Sequence, residues 1–209
     1  MNALERTAHA QHRRDEVPNQ ELARDLAATK DRDGICEIAE NLGNRNKSIQ
    51  ADCIKVLYEI GTIDPSLIAE YAEEFVKLLH SRNNRMVWGG MIALGTVAGL
   101  KPHVVLAHLD EIERAIETGS VITVDNGVEV LARAASRDEK NAREILPYVL
   151  EHLRTCRAQS IPPHAEKTLI AINAGNKARF INILNRRMNE LTGAARARVQ
   201  KVVKAAEER

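Results

Sequence analysis

Aromatic side chains are few in this sequence: one Trp, three Tyr and two Phe, 3% of 209 residues. Sheets rely on aromatic and β-branched residues for cross-strand packing, so this scarcity weighs against a β architecture. The abundant Ala, Leu, Ile, Glu, Lys and Arg favour helix. Cysteine is sparse too. Cys36, Cys53 and Cys156 are odd in number and form no CxxC pair, which speaks against a disulfide framework and for a reducing compartment. No apolar run approaches the roughly 18 residues that cross a bilayer. The opening MNALERTAHAQHRRDE lacks the apolar core of a secretory signal. A cytoplasmic protein with no membrane partner is therefore expected.

Catalytic signatures are missing as well. Gly89-Gly90 lies inside a helical pattern without the Lys-Ser/Thr that completes a phosphate loop. No GxSxG occurs. His164-Ala165-Glu166 has the H-x-E form of zinc deaminases but no downstream P-C-x-x-C. Cys156 sits near Arg154 and Arg157, yet no histidine partner is evident for it in the sequence, so it reads as a surface thiol rather than a nucleophile. The expectation is a non-enzymatic chain with no catalytic residue, cofactor or metal.

A fixed period is what the sequence does contain. SIQADCIKVLYEIGTIDP (48–65) aligns with RMVWGGMIALGTVAGLKP (85–102), with ITVDNGVEVLARAA (122–135), with SIPPHAEKTLIAI (160–172) and loosely with GAARARVQKVVKAA (193–206). Spacings of 33 to 38 residues mark a stack of helical repeats. One column holds Ile49, Met86, Thr123 and Ile161. Four residues on come the small Cys53, Gly90, Gly127 and Ala165. Then follow Val56-Leu57, Ala93-Leu94, Val130-Leu131 and Thr168-Leu169, and last Ile60, Val97, Ala134 and Ile172. Steps of three, four and seven place one apolar stripe on each helix, and the small column lets a neighbour approach closely. Cys53, Leu57, Leu94, Leu131 and Leu169 are expected in the core. Between these copies, 65–81, 102–119, 138–156 and 176–193 read as partner helices. Pro65 and Pro102 open the first two, Pro147 is set to kink the third, and Gly119 and Gly193 close the second and fourth.

The pattern resembles HEAT repeats of the armadillo-type superfamily over roughly residues 33–207, with Ala93-Leu94-Gly95 matching the family's "aLG" patch. The likeness is to uncharacterised bacterial HEAT-repeat proteins. It implies a right-handed all-α solenoid of about five helix pairs and no particular activity. The arginine usual beside the first apolar column is replaced by Gln50, Val87, Val124 and Pro162, so the family's inter-repeat polar ladders are not carried over. Residues 20–209 are expected as one repeat domain. Residues 1–19, with His9, His12, Arg13 and Arg14, are expected as a polar arm or a frayed helix.

In a solenoid the inner helices contribute successive ridges to a concave binding surface. Opposite the apolar stripe lie Arg85, Trp88 and Ile92 on one copy, Asp125, Asn126 and Glu129 on the next, and His164 and Lys167 on the one after. They are the expected partner-binding residues. Two readings of Trp88 stand open, an interface anchor or a ring buried between inner helices. Asp125, Glu129 and His164 also have the composition of a metal or acid–base groove, to be set against a solvated polar face.

The net charge of +1 names no partner, but Asn176–Arg209 carries nine Lys and Arg against three Glu. Its Arg179, Arg186, Arg187, Arg196, Arg198, Lys201 and Lys204 make a basic patch. The leading expectation is a protein-interaction or scaffold module of unknown partner. Nucleic-acid binding through the basic patch comes second. An enzyme accessory or sensor using the Asp125/His164 groove comes third.

Overall fold

The computed structural model describes residues 2–209. They form twelve α-helices with short 3₁₀ turns, and no strand occurs among them. The helices are α1 (Val17–Thr29), α2 (Arg32–Glu40), α3 (Lys47–Ile63), α4 (Ala72–Lys77), α5 (Asn84–Val97), α6 (Pro102–Ala107), α7 (Leu109–Thr118), α8 (Val121–Ala135), α9 (Glu139–Thr155), α10 (Ile161–Thr168), α11 (Lys177–Arg187) and α12 (Gly193–Glu207). Side-chain oxygens set several starts. Asn46 accepts from the Ser48 amide at 2.9 Å, Asn83 from the Arg85 amide at 3.1 Å and Asp138 from the Asn141 amide at 2.8 Å. Each cap satisfies an amide that the first turn leaves without a partner, worth about 1 kcal/mol.

Six helices stack in one layer in the order α1, α3, α5, α8, α10, α12, and α2, α4, α6 with α7, α9 and α11 pack outside them. This is an all-α solenoid. The expected register holds: Cys53, Leu57, Leu94 and Leu131 are fully buried, as are Met86, Thr123, Ile161, Ile60, Val97 and Ala134. The small column works as anticipated. A Cβ on Gly90 would lie 2.8 Å from Leu78 Cβ, and one on Gly127 would lie 2.4 Å from Ile116 Cγ1. Outer helices thus sit against the inner ones at a separation that only these positions allow.

Several expectations change. Leu169 is half-buried rather than core, because α10 ends at Thr168 and the chain tightens into a 3₁₀ turn, Leu169–Ala171, that turns Ala171 and Ile172 inward instead. The segment 65–81 is largely 3₁₀, with only Ala72–Lys77 α-helical. The segment 102–119 breaks at His108, whose ring is held between Glu73 and Glu111 at 2.8 Å from each. Pro147 lies on the exposed side of α9 without ending it. Gly193 does not close α11; it opens α12 at φ 51°, a conformation that favours glycine.

The polar N-terminal segment is docked, and α1 already begins at Val17. Ala3, Thr7 and Ala8 are buried. Asn19 accepts from the Ala8 amide at 2.9 Å and donates to Asp52 at 2.9 Å, and Asp52 accepts from the His9 amide at 2.7 Å. These bonds pair buried polar groups that would otherwise be costly to desolvate.

The apolar core falls into two clusters. One draws on residues between Ala3 and Val149 together with Ala171, the other on Leu150 to Ala206.

Candidate partner-binding ridge

Arg85, Trp88 and Ile92 lie on α5, Asp125, Asn126 and Glu129 on α8, and His164 and Lys167 on α10. On α3, Lys55 is 3.0 Å from Glu16 and 2.7 Å from Glu59. Burial opposes the charge on Lys55, but its hydrogen bonds to Glu59 and Glu16 outweigh that and hold its pKa above the ordinary lysine value. On α5, Arg85 reaches the same Glu16 at 3.0 Å. On α8, Glu129 is 2.7 Å from Arg133 and 3.0 Å from Lys167 of α10. Burial works against the charge of Glu129 too; Lys167 and Arg133 together hold its carboxyl below the usual range. Lys167 also donates to the Asp125 carbonyl at 2.7 Å. Asn126 uses its amide N–H on the Ile122 carbonyl at 2.8 Å, and its side-chain oxygen accepts no hydrogen bond among the described residues.

An aromatic patch interrupts these ion pairs. Trp88 is half-buried, neither a core ring nor a free one. Its ring lies 6.4 Å from that of Tyr58 at 50°, and the Arg85 guanidinium sits 5.9 Å from its centre. Lys55 Nζ stands 4.9 Å from the Tyr58 ring centre. Two cation–aromatic contacts joined through Glu16 therefore fix the rings. Ile92, one turn beyond Trp88, is half-exposed beside them. Asp52 on α3 is taken up by the N-terminal segment.

His164 does not belong to this surface. It is fully buried at the α8–α9–α10 junction. Its Nε2 bonds Asp125 Oδ1 at 2.8 Å and its Nδ1 meets His152 Nε2 at 3.1 Å. Burial lowers its pKa below the ordinary imidazole value even though Asp125 pulls the other way. Asp125, Glu129 and His164 do not converge as one groove, since Glu129 turns to the cations instead. The histidine partners absent from the expectation for Cys156 are present: His152, Cys156 and His164 lie together, their ligand atoms within 4.8 Å of one another. The i, i+4 spacing of His152 and Cys156, which puts both on one face of α9, was the signal available for it.

The basic patch is not one surface. Arg187 is buried, donating to the Leu153 carbonyl at 3.0 Å and to Glu190 at 2.8 Å. Arg198 is paired with Glu166 at 2.8 Å across to α10. Arg179 and Arg186 on α11 and Arg196, Lys201 and Lys204 on α12 are exposed. No helix among the described residues is long and apolar enough to cross a membrane.

No protein-family model matches the chain, and no curated protein matches it in sequence. Solved structures do match in fold. A designed armadillo repeat protein in complex with the peptide (KR)4 shares a TM-score of 0.69 at 15% identity, over 90% of this chain and 85% of that one. An engineered protein covers 100% of this chain and 96% of its own at TM-score 0.67 and 20% identity. A computationally designed armadillo repeat protein for modular peptide recognition covers 97% and 98% at TM-score 0.65 and 12% identity. The chain is thus similar in architecture to armadillo-type repeat solenoids.

Proposed function

We propose that the protein is a non-enzymatic interaction module that takes an extended peptide segment of a protein partner across its inner-helix ridge, anchored at Trp88. The carrying observation is the half-buried Trp88 in mid-stack, braced by Tyr58 and Arg85 and flanked by Ile92. A half-buried aromatic braced by neighbouring side chains is the composition of an interface anchor, because the contacts already restrict its rotamers before binding. The ridge cations Lys55, Arg85, Arg133 and Lys167 are all paired with Glu16, Glu59 or Glu129, so charge alone selects no partner. The segment's contribution at the anchor is an apolar or aromatic side chain. The Asn126 side-chain oxygen, on the neighbouring helix, suits a backbone N–H of the same segment.

Two of the fold neighbours are a protein complexed with a peptide and one designed for peptide recognition. That is compatible with this use of the ridge. The finer likeness to bacterial HEAT-repeat proteins, and a cytoplasmic location, belong to the same proposal. Nucleic acid ranks below a peptide. Two of the basic residues are consumed by carboxylates, and the aromatic pair lies on α3 and α5, apart from the exposed cations of α11 and α12.

Trp88 is the only tryptophan, so its emission reports on the ridge. Extended peptides selected from a random library against the purified protein should shift or quench that emission on binding. Peptides that bind tightly and leave it unchanged would remove the ridge from consideration.

A further inference from the structure

The seam between the two apolar clusters is polar. There α8, α9 and α10 bring together Asp125, His152, Cys156 and His164, and a cavity of about 380 Å³ opens onto the last three. We propose that His152, Cys156 and His164 bind a single transition-metal ion of the zinc class, which clips α9 to α10, with Asp125 orienting His164.

The geometry is that of a ligand set. Two nitrogens bound to one tetrahedral zinc at 2.0–2.1 Å are about 3.3 Å apart; His152 Nε2 and His164 Nδ1 are 3.1 Å apart. The Cys156 sulfur lies within 4.8 Å of a ring nitrogen of each histidine, about 1.2 Å or less beyond the N···S span of roughly 3.6 Å that a shared ion sets. Cys156 is the half-exposed residue that ends α9, so the adjustment falls on a side chain at a helix end rather than on the packed core.

The surroundings prepare each ligand. The Asp125 carboxylate accepts from His164 Nε2–H at 2.8 Å, which fixes the tautomer and aims the Nδ1 lone pair at His152. A carboxylate behind a histidine is the usual outer partner of a metal-bound imidazole. Both imidazoles ligate in their neutral form. Without metal, one imidazole donates to the other. With metal, the His152 proton moves to its Nδ1 and both facing lone pairs go to the ion. Cys156 releases its proton to solvent on binding. Arg187 Nη1, 3.6 Å from the sulfur, then donates to the thiolate. Two imidazoles and a thiolate suit a borderline-soft ion rather than calcium or magnesium. The cavity, lined also by Tyr148, Arg157 and Ser160, leaves room for a fourth, exogenous ligand. The site is independent of whichever partner the inner ridge takes.

Untagged, metal-stripped protein titrated with Co(II) tests this. The expected result is saturation at one equivalent, with a thiolate-to-cobalt charge-transfer band in the near ultraviolet, the visible bands of a four-coordinate ion, and displacement by Zn(II). Cys156→Ser should abolish the charge-transfer band, and Cys36→Ser should leave it. Asp125→Asn should weaken cobalt binding about 10–100-fold with helicity unchanged by circular dichroism. If Cys156→Ser fails to fold, His152→Gln replaces it and must abolish stoichiometric binding. No charge-transfer band with cobalt in excess, or a band that survives Cys156→Ser, would overturn the assignment.

Discussion

Two glycines on inner helices should respond oppositely to the same substitution. Both Gly95 on α5 and Gly127 on α8 are buried within helices. Replacing a helical glycine by alanine ordinarily stabilises by about 0.5–1 kcal/mol, because the unfolded chain loses freedom and the helix gains propensity. At Gly95 nothing opposes that gain, since the new Cβ would meet only Val130 Cγ2, at 3.7 Å. At Gly127 it would fall 2.4 Å from Ile116 Cγ1 and 2.8 Å from its Cδ1. Carbon atoms prefer about 3.5–4.0 Å, so the Ile116 side chain must leave its rotamer or α7 must move away by roughly 1 Å. Overpacking of that kind costs about 1–3 kcal/mol. Gly95→Ala should therefore melt higher than wild type and Gly127→Ala lower, the two separated by the overpacking cost of about 1–3 kcal/mol. At 2–4 °C per kcal/mol for a chain of this size, that is roughly 2–12 °C in a thermal melt. Ile116→Ala removes the clashing atoms, and in its background Gly127→Ala should become neutral or stabilising. If both alanines stabilise equally in the wild-type background, the close approach of α7 to α8 is wrong.

Leu94→Ala, at a fully buried position, should cost about 2–5 kcal/mol in urea denaturation, and Leu169→Ala distinctly less; equal costs would contradict the altered end of α10. Arg187→Ala leaves the Leu153 carbonyl with only the long contact from the Cys156 thiol and should cost about 1–3 kcal/mol. Exposed Arg186→Ala should stay within about 0.5 kcal/mol, and the two melts compared side by side decide it. His108 has its pKa raised by hydrogen bonds to Glu111 and Glu73, and Glu111 also touches His80. Its contribution is therefore full below the unfolded histidine value of about 6.5 and fades as pH rises through the folded one. Stability measured from pH 5 to 8 should fall less in His108→Gln than in wild type, and an unchanged slope would refute the pairing.

The architecture was legible because a solenoid repeats its core. Met86, Thr123 and Ile161, or Leu57, Leu94 and Leu131, each confirm the others' places. What was not legible came from local departures. The sequence put His164 on the solvent ridge, one turn before Lys167. In the structure α10 is short, and both His164 and Ala165 face the α8–α9 junction, with only Lys167 left on the ridge. The basic run hid its own cancellation: Glu190, three residues after Arg187, and Glu166, on another helix, claim two of its arginines. The docking of residues 3–9 depends on Asn19 and Asp52 meeting across 33 positions, a long-range polar contact that no periodicity announces.

The proposed binding mode rests on Trp88 as the anchor of the ridge. The decisive measurement is the affinity of a library-selected extended peptide for wild type and for Trp88→Ala, with a melting curve of each. Losing a half-buried ring should cost stability only about 2 kcal/mol, below the 3–5 kcal/mol of a full core aromatic. The folded variant should then bind at least about 30-fold more weakly, the equivalent of roughly 2 kcal/mol at an interface anchor. A double Arg186→Ala, Lys201→Ala control should bind as wild type does. Equal affinity for Trp88→Ala and wild type, or a loss seen only in the basic double variant, would contradict the inner ridge as the binding surface.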